Sequence, residues 1–275
     1  MDLVGFTTLH PLVKAAVLGV VEGATEFLPV SSTGHLIVAG DLLGFDGPAA
    51  KTFEIFIQLG AILAIVWLYR ARLVHAVSTA ARDPKSRRLL WSLFLGFLPA
   101  AAVGLVAHDA IKRYLFNPLT VAVAFVVGGL IILAIERWRP VVTIHSVDDM
   151  PPRTALGVGF AQVLSLVPGT SRSGATIMGA FCLGLSRKAA AEFSFLLAVP
   201  TMVVATGFDL VASRSTLSLA DAPVFLVGFG FAFLSALVVV RAFLSFVARH
   251  TFVPFAWYRI AFGLLLLLAY RHASW

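Results

Sequence analysis

Two short stretches hold most of the residues able to do chemistry inside an otherwise apolar chain: "EGATEFLPVSSTGH", residues 22–35, and "PGTSRSGAT", residues 168–176. Glu22 and Glu26 lie four apart, so on a helix they share one face. Two carboxylates so placed repel each other and at neutral pH call for a cation, an arginine or a shared proton. Ser31, Ser32 and Thr33 come before Gly34 and His35, where a short helix should begin. Amides at a helix N-terminus opened by glycine form a ready anion site, although Ser and Thr are also ordinary N-caps. An imidazole a few residues from a serine can serve as base, acid or nucleophile in phosphoryl or acyl transfer. In the second stretch Arg172 stands between Ser171 and Ser173 and before Gly174. A planar guanidinium suits bidentate capture of phosphate oxygens, or it can neutralise Glu22 or Glu26.

These residues must be positioned by a membrane fold. Apolar residues make up 59% of the 275 and charged residues 13%, and apolar runs of helix length recur, long enough for the roughly 30 Å of a hydrocarbon core. Unpartnered ionisable groups at that depth cost several kcal/mol each, so the two stretches should be functional. The net charge of +7 does not indicate nucleic acid, because the basic residues sit between apolar runs and form no soluble patch interleaved with aromatics. Cys182 is the only cysteine, which excludes an internal disulfide and a Cys-rich metal site. Near the N-terminus Asp2 is followed by no basic stretch with a cleavage site, so insertion is expected through the spans themselves.

Uninterrupted spans are predicted at 52–69, 89–107, 118–135, 188–206, 223–246 and 252–270. Two further apolar stretches break in the middle, 11–28 with 34–45 at "PVSSTG" and 154–167 with 174–185 at "PGTSRSG". Neither half can span alone, and the backbone groups freed at such a break need burial in protein. The expected fold is therefore all-α and polytopic, six transmembrane helices plus two re-entrant helical hairpins. The two broken segments share a proline, a Ser-X-Ser/Thr-Gly core and a closing Leu-Gly, and downstream Glu54 stands opposite Glu192. This predicts an internal duplication, residues 10–140 and 153–272, within one membrane domain. Three spans lie between the hairpins, and that odd number makes the repeats inverted, with tips meeting near the midplane. Arg70 to Arg88 carries six basic residues and the segments around Asp109 and Arg214 few, so the former is expected in the cytoplasm. The basic loops are expected to contact anionic membrane lipids. Glu54 and Glu192 each begin a span, where a carboxylate also favours the positive helix end.

"GVVEGATEFLPVSSTGHLIV", "PGTSRSGATI" and "EFSFLLAVP" resemble the signature segments of the bacitracin-resistance family of undecaprenyl-diphosphate phosphatases, and the likeness runs along nearly the whole chain. The resemblance implies a multi-pass enzyme of the bacterial inner membrane with interdigitated inverted repeats. Its substrate would be a polyprenyl diphosphate lipid, its product the carrier recycled for peptidoglycan synthesis, and its activity dependent on a divalent cation. By the same likeness Glu22, Glu26, Ser32 and His35 match catalytic positions and Arg172 a phosphate-binding arginine, while Thr170 stands where an aromatic is common. Glu22 and Glu26 would hold the metal, Mg2+ or Ca2+ by the hardness of oxygen ligands. Ser31, Thr33, Gly34, Ser171, Ser173 and Gly174 would line the substrate. Attack is assigned to Ser32 with His35 as base or acid; His35 itself or a glutamate-activated water are the alternatives. An inverted-repeat transporter or lipid flippase is the competing reading of the architecture. Small residues around Gly96 to Gly104 and at Gly128 and Gly129 suit close packing within a monomer or across a homodimer equally.

Overall fold

The computed structural model describes residues 7–45, 48–212 and 221–270. Asp2, the loop around Arg214 and the end of the second repeat beyond residue 270 lie outside the described residues. Within them the chain runs through α1 (Pro11–Thr25), α2 (Ser32–Leu43), α3 (Pro48–Leu68), α4 (Arg70–Thr79), α5 (Pro84–Tyr114), α6 (Pro118–Trp138), α7 (Pro152–Val163), α8 (Arg172–Cys182), α9 (Arg187–Ala212), α10 (Ala222–Val247) and α11 (Val253–Tyr270). Extended pairing among the described residues is limited to an isolated bridge between Ile144 and Leu185.

Local chemistry sets the boundaries. Asp83 accepts from the Lys85 and Ser86 amides with Pro84 at the first turn, and Asn117 caps α6 ahead of Pro118 in the same way. That cap starts α5 five residues before the predicted 89. Gly44, at φ 55°, closes α2 in the left-handed conformation that L side chains resist. The basic segment after α3, expected as a loop, instead forms the short helix α4.

Six of these helices are long and apolar enough to cross a membrane: Ala50–Leu68, Pro84–Ala107, Pro118–Trp138, Arg187–Asp209, Ala222–Val247 and Val253–Tyr270. Their outer faces are apolar, with Leu105 72% and Val106 91% exposed, a surface that water would oppose and lipid accepts. The protein is thus an all-α multi-pass membrane protein. The broken segments give four short helices of 11 to 15 residues, about 17 to 23 Å at 1.5 Å per residue, too short for a 30 Å core.

Packing is exchanged between the two halves of the chain. The first short helix of each half lies against a long helix of the other, α1 along α10 and α7 along α5, while α3 meets α9 and α6 meets α11. Glycine permits these approaches. A Cβ on Gly19 or Gly23 would fall 2.3 Å from the Gly228 carbonyl or 2.2 Å from that of Ala232, and one on Gly159 would fall 2.7 Å from the Gly96 carbonyl. Gly96, Gly128 and Gly129 also face neighbours of the same chain, so their small size serves contacts within one protomer.

Candidate active site

The two breaks meet. Each places a serine at positive φ immediately before its helix, Ser31 at 67° and Ser171 at 76°. The crossing is fastened by hydroxyls of the second break on a carbonyl of the first: Ser173 Oγ donates to the Leu28 carbonyl at 2.6 Å, and Ser171 Oγ reaches it at 3.4 Å. Ser171 Oγ also accepts from the Gly174 amide at 3.0 Å, capping α8. Ser171 and Ser173, expected to face substrate, therefore act first as the fastening between the breaks.

A second fastening was missed in the sequence. Arg259 on α11 is 1% exposed and donates to the carbonyls of Pro29 in the first break and Gly169 and Thr170 in the second, as well as those of Ala124 and Phe125 on α6. Gly128 makes room for it, since a Cβ there would lie 2.2 Å from Arg259 Nη2. The signal was present: an arginine inside an apolar span is expensive unless it is partnered or functional.

At the centre of the crossing stands Glu26. Its amide closes the last turn of α1 on the Glu22 carbonyl at 2.9 Å, so the two acids are stacked one turn apart. Glu26 Oε2 accepts from Ser32 Oγ at 2.5 Å, and Oε1 accepts from Arg172 Nη2 at 3.0 Å. The remaining guanidinium contacts orient Arg172: Nη1 donates to the Ser194 carbonyl at 2.9 Å and the cation lies 5.6 Å from the Phe27 ring centre. Thr176 and Ser194 share a hydroxyl contact beside it at 2.6 Å. Three groups from three elements, acid, hydroxyl and guanidinium, thus converge across a sequence separation of 146 residues.

Three buried polar atoms here have no hydrogen-bond partner. Both oxygens of Glu22, which is fully buried, and Nε of Arg172 make no hydrogen bond. An unmade bond of this kind costs on the order of 1 to 3 kcal/mol, and more for a charged group, which makes these atoms candidates for ligand contacts. A free carboxylate suits a cation, and a free guanidinium N–H suits an oxyanion.

His35 lies one turn along α2 from Ser32. Nδ1 is 2.7 Å from the Ser31 carbonyl, which can only accept, so this nitrogen carries a proton. Nε2 is 2.5 Å from the Tyr258 hydroxyl, and the ring stacks on Phe262 at 4.6 Å. The expected Ser32–His35 pairing is replaced: Ser32 bonds to Glu26, and His35 bonds to Ser31 and Tyr258. Gly34, expected to open amides to an anion, faces Phe125, with a would-be Cβ 2.4 Å from its ring. Thr33 is half-buried. Glu192 belongs to a different cluster, where Arg72 lies 3.9 Å from it and 2.6 Å from Asp148. Glu54 is half-buried on α3.

Among the described residues no group of three or more His, Cys, Asp or Glu side chains is gathered for an ion. Glu22 still fits a hard divalent cation, because it presents two unengaged oxygens and Mg2+ commonly binds through one or two carboxylates with substrate phosphates and waters completing its shell, whereas Glu26, one turn on, has both oxygens engaged by Ser32 and Arg172 and would have to share one.

Fold and site together define a polytopic helical membrane protein with a buried acid, hydroxyl and guanidinium cluster between two broken helices. The chain belongs to the family described as bacitracin resistance protein BacA, which matches residues 15–265. The undecaprenyl-diphosphatases of Ectopseudomonas mendocina and Aromatoleum aromaticum are each 54% identical to it, with 94% of both chains covered. An undecaprenyl-diphosphatase 2 of Paramagnetospirillum magneticum is also 54% identical, over 93% of this chain and 97% of its own.

Proposed function

We propose that this protein is a membrane phosphatase that hydrolyses undecaprenyl diphosphate to undecaprenyl phosphate and inorganic phosphate, recycling the carrier for peptidoglycan synthesis and conferring bacitracin resistance. The observation that carries this reading is the bridging position of Glu26, between the Ser32 hydroxyl and the Arg172 guanidinium. A diphosphate ester needs a nucleophile, a proton acceptor and positive charge for its equatorial oxygens, and this arrangement holds one of each.

Arg172 takes the terminal phosphate through its unengaged Nε–H while Nη2 stays on Glu26. Ser32 Oγ attacks the terminal phosphorus and gives its proton to Glu26 Oε2; the bond from that phosphorus to the bridging oxygen breaks, and the lipid monophosphate leaves. Water then cleaves the phosphoserine and restores the hydroxyl, with Glu26 again within reach of the proton. His35, one turn along α2, keeps the Nδ1 proton on the Ser31 carbonyl, so its Nε2 accepts from the Tyr258 hydroxyl and acts as an acid only after taking up a second proton there. Glu22 and Glu26 would hold a Mg2+ or Ca2+ ion, which when bound supplies charge neutralisation to the diphosphate.

The exchanged packing of α1 on α10 and α7 on α5 supports reading residues 10–140 and 153–272 as inverted repeats whose broken helices re-enter the membrane. The basic end of the molecule would then face the cytoplasm of a bacterial inner membrane. The prenyl tail would remain in the bilayer.

The experiment is phosphate release from a long-chain polyprenyl diphosphate by purified protein in detergent, with and without a chelator. Release that stops on chelation and returns with Mg2+ or Ca2+ is expected. No release under any metal condition, with the protein folded, would sink the reading.

A further inference from the structure

A cavity bordered by arginines lies away from the breaks. Where α6 ends, α9 begins and α11 begins, a cavity of about 1040 Å3 is lined by Arg137, Arg139 and Arg187 together with apolar Leu133, Phe181 and Val253. Phe181 is nine residues along α8 from Arg172, about 14 Å at 1.5 Å per residue, so this cavity is separate from the candidate active site.

Its charge is unbalanced for a local reason. The carboxylate in the lining, Glu136, is already fully engaged: Oε1 accepts from Arg187 Nε at 3.0 Å and from the Phe252 amide at 2.8 Å, and Oε2 accepts from Arg187 Nη2 at 2.5 Å. Arg187 is further held with its guanidinium 4.8 Å from the Phe181 ring centre. Arg137 and Arg139 have neither ion pair nor side-chain hydrogen bond among the described residues, and both are exposed. Two free guanidiniums therefore border a cavity whose lining is otherwise largely apolar, beside Trp138, which is 71% exposed at the end of its span. Indole rings favour the interface between headgroups and acyl chains. This end of the molecule also carries Arg70, Arg72, Arg82, Lys85, Arg87 and Arg88, the excess that marks a cytoplasmic face.

We propose that this cavity binds the phosphate of an anionic lipid headgroup, with Arg137 and Arg139 on its oxygens and the first part of an acyl chain on Leu133, Phe181 and Val253. The ligand chemistry is a phosphate ester anion. Free inorganic phosphate shares the charge, but makes no use of the apolar lining.

The test uses the full-length protein, delipidated in detergent, with dioleoylphosphatidylglycerol as probe and bound lipid counted by native mass spectrometry. One saturable lipid per chain is expected, weakened tenfold or more in the Arg137→Gln/Arg139→Gln variant and for dioleoylphosphatidylcholine. The Arg82→Gln/Arg88→Gln variant removes the same charge from the same end of the molecule and should bind normally. Equal loss in that control would reduce the effect to diffuse charge and overturn the site. Inorganic phosphate forms a separate arm: binding of phosphate that depends on Arg137 and Arg139, with lipid binding unaffected by their loss, would overturn the lipid assignment in favour of the free ion. Both arginines are exposed, so the variant should unfold at the wild-type temperature without lipid; a lipid-induced rise in Tm in the wild type alone is the independent readout.

Discussion

Ser31 and Ser171 hold one backbone conformation, φ 67° and ψ 102° in the first, φ 76° and ψ 117° in the second. They sit at corresponding places, each the residue before the second half of a broken helix. An L residue held there costs on the order of 1 to 3 kcal/mol, and it persists only where the surroundings over-determine it. For Ser171 the surroundings are the other break, through the Leu28 carbonyl, and for Ser31 they include His35, whose Nδ1 lies on its carbonyl. The same strained turn in both halves sets Ser32 and Arg172, the next residues of each, against Glu26.

The strain is separable from the hydroxyls. Ser31 makes no side-chain cap, so Ser31→Gly should keep the fold and hold or raise Tm, whereas Ser31→Val, β-branched at positive φ, should lower it by several degrees. At position 171 glycine also removes the bonds to Gly174 and Leu28, so Ser171→Gly should be destabilising despite the relieved backbone. Thermal unfolding in detergent checks all three. Equal Tm for glycine and valine at position 31 would mean that the strain is absent.

The chemistry of the crossing predicts losses that a structural role would not give. Ser32→Ala, Glu26→Gln and Arg172→Lys should each lower phosphate release by about 100- to 1000-fold, the scale for removing one preorganised group, with Tm little changed for Ser32→Ala. Lysine should fail at position 172 because a compact ammonium lacks the planar fork whose separate nitrogens reach the Ser194 carbonyl, Glu26 and a phosphate at once. Near-normal turnover by Ser32→Ala would assign the attack to water.

What could be read in the sequence was what local composition decides. Apolar run length located the spans to within a few residues, 118–135 against Pro118–Trp138 for example, and Pro and Gly at "PVSSTG" and "PGTSRSG" located both breaks. Residue types also singled out Glu26, Ser32 and Arg172, because such groups are costly in lipid. Partner choice could not be read. Whether Ser32 turns to His35 or to Glu26 depends on how α2 is rotated against α1 and α11, and Phe125, Tyr258 and Phe262 set that rotation from distant parts of the chain. Glu192 likewise looked equivalent to Glu54, yet Arg72, which also pairs with Asp148, draws it into a separate cluster.

Outside the spans, Asp83 gives a pH-dependent contribution. The Ser86 hydroxyl, and then the Ser86 and Lys85 amides, hold its carboxyl below the ordinary aspartate value. A depressed folded-state pKa stabilises above the unfolded value, roughly 3.9, and that stability is lost as pH falls through the folded value. The Tm difference between wild type and Asp83→Asn should therefore be present at pH 7 and close on acidification below about pH 4. A difference that stayed constant down to low pH would show that the carboxylate charge contributes nothing.

Arg259 makes the most demanding prediction, because its five carbonyl partners include residues of both breaks and of α6. Removing the guanidinium leaves those acceptors buried and unpaired, a loss on the order of several kcal/mol when each costs about 1 kcal/mol or more. Arg259→Met should therefore lower Tm strongly and abolish turnover together. Gly128→Ala is the milder probe: it leaves the arginine in place but crowds Nη2, so the breaks should shift without the fold being lost. Its expected result is a folded protein whose Tm falls less than that of Arg259→Met and whose phosphate release is lowered at least tenfold. If Gly128→Ala turned over normally while Arg259→Met only unfolded, Arg259 would hold the helices together without setting the geometry around Glu26.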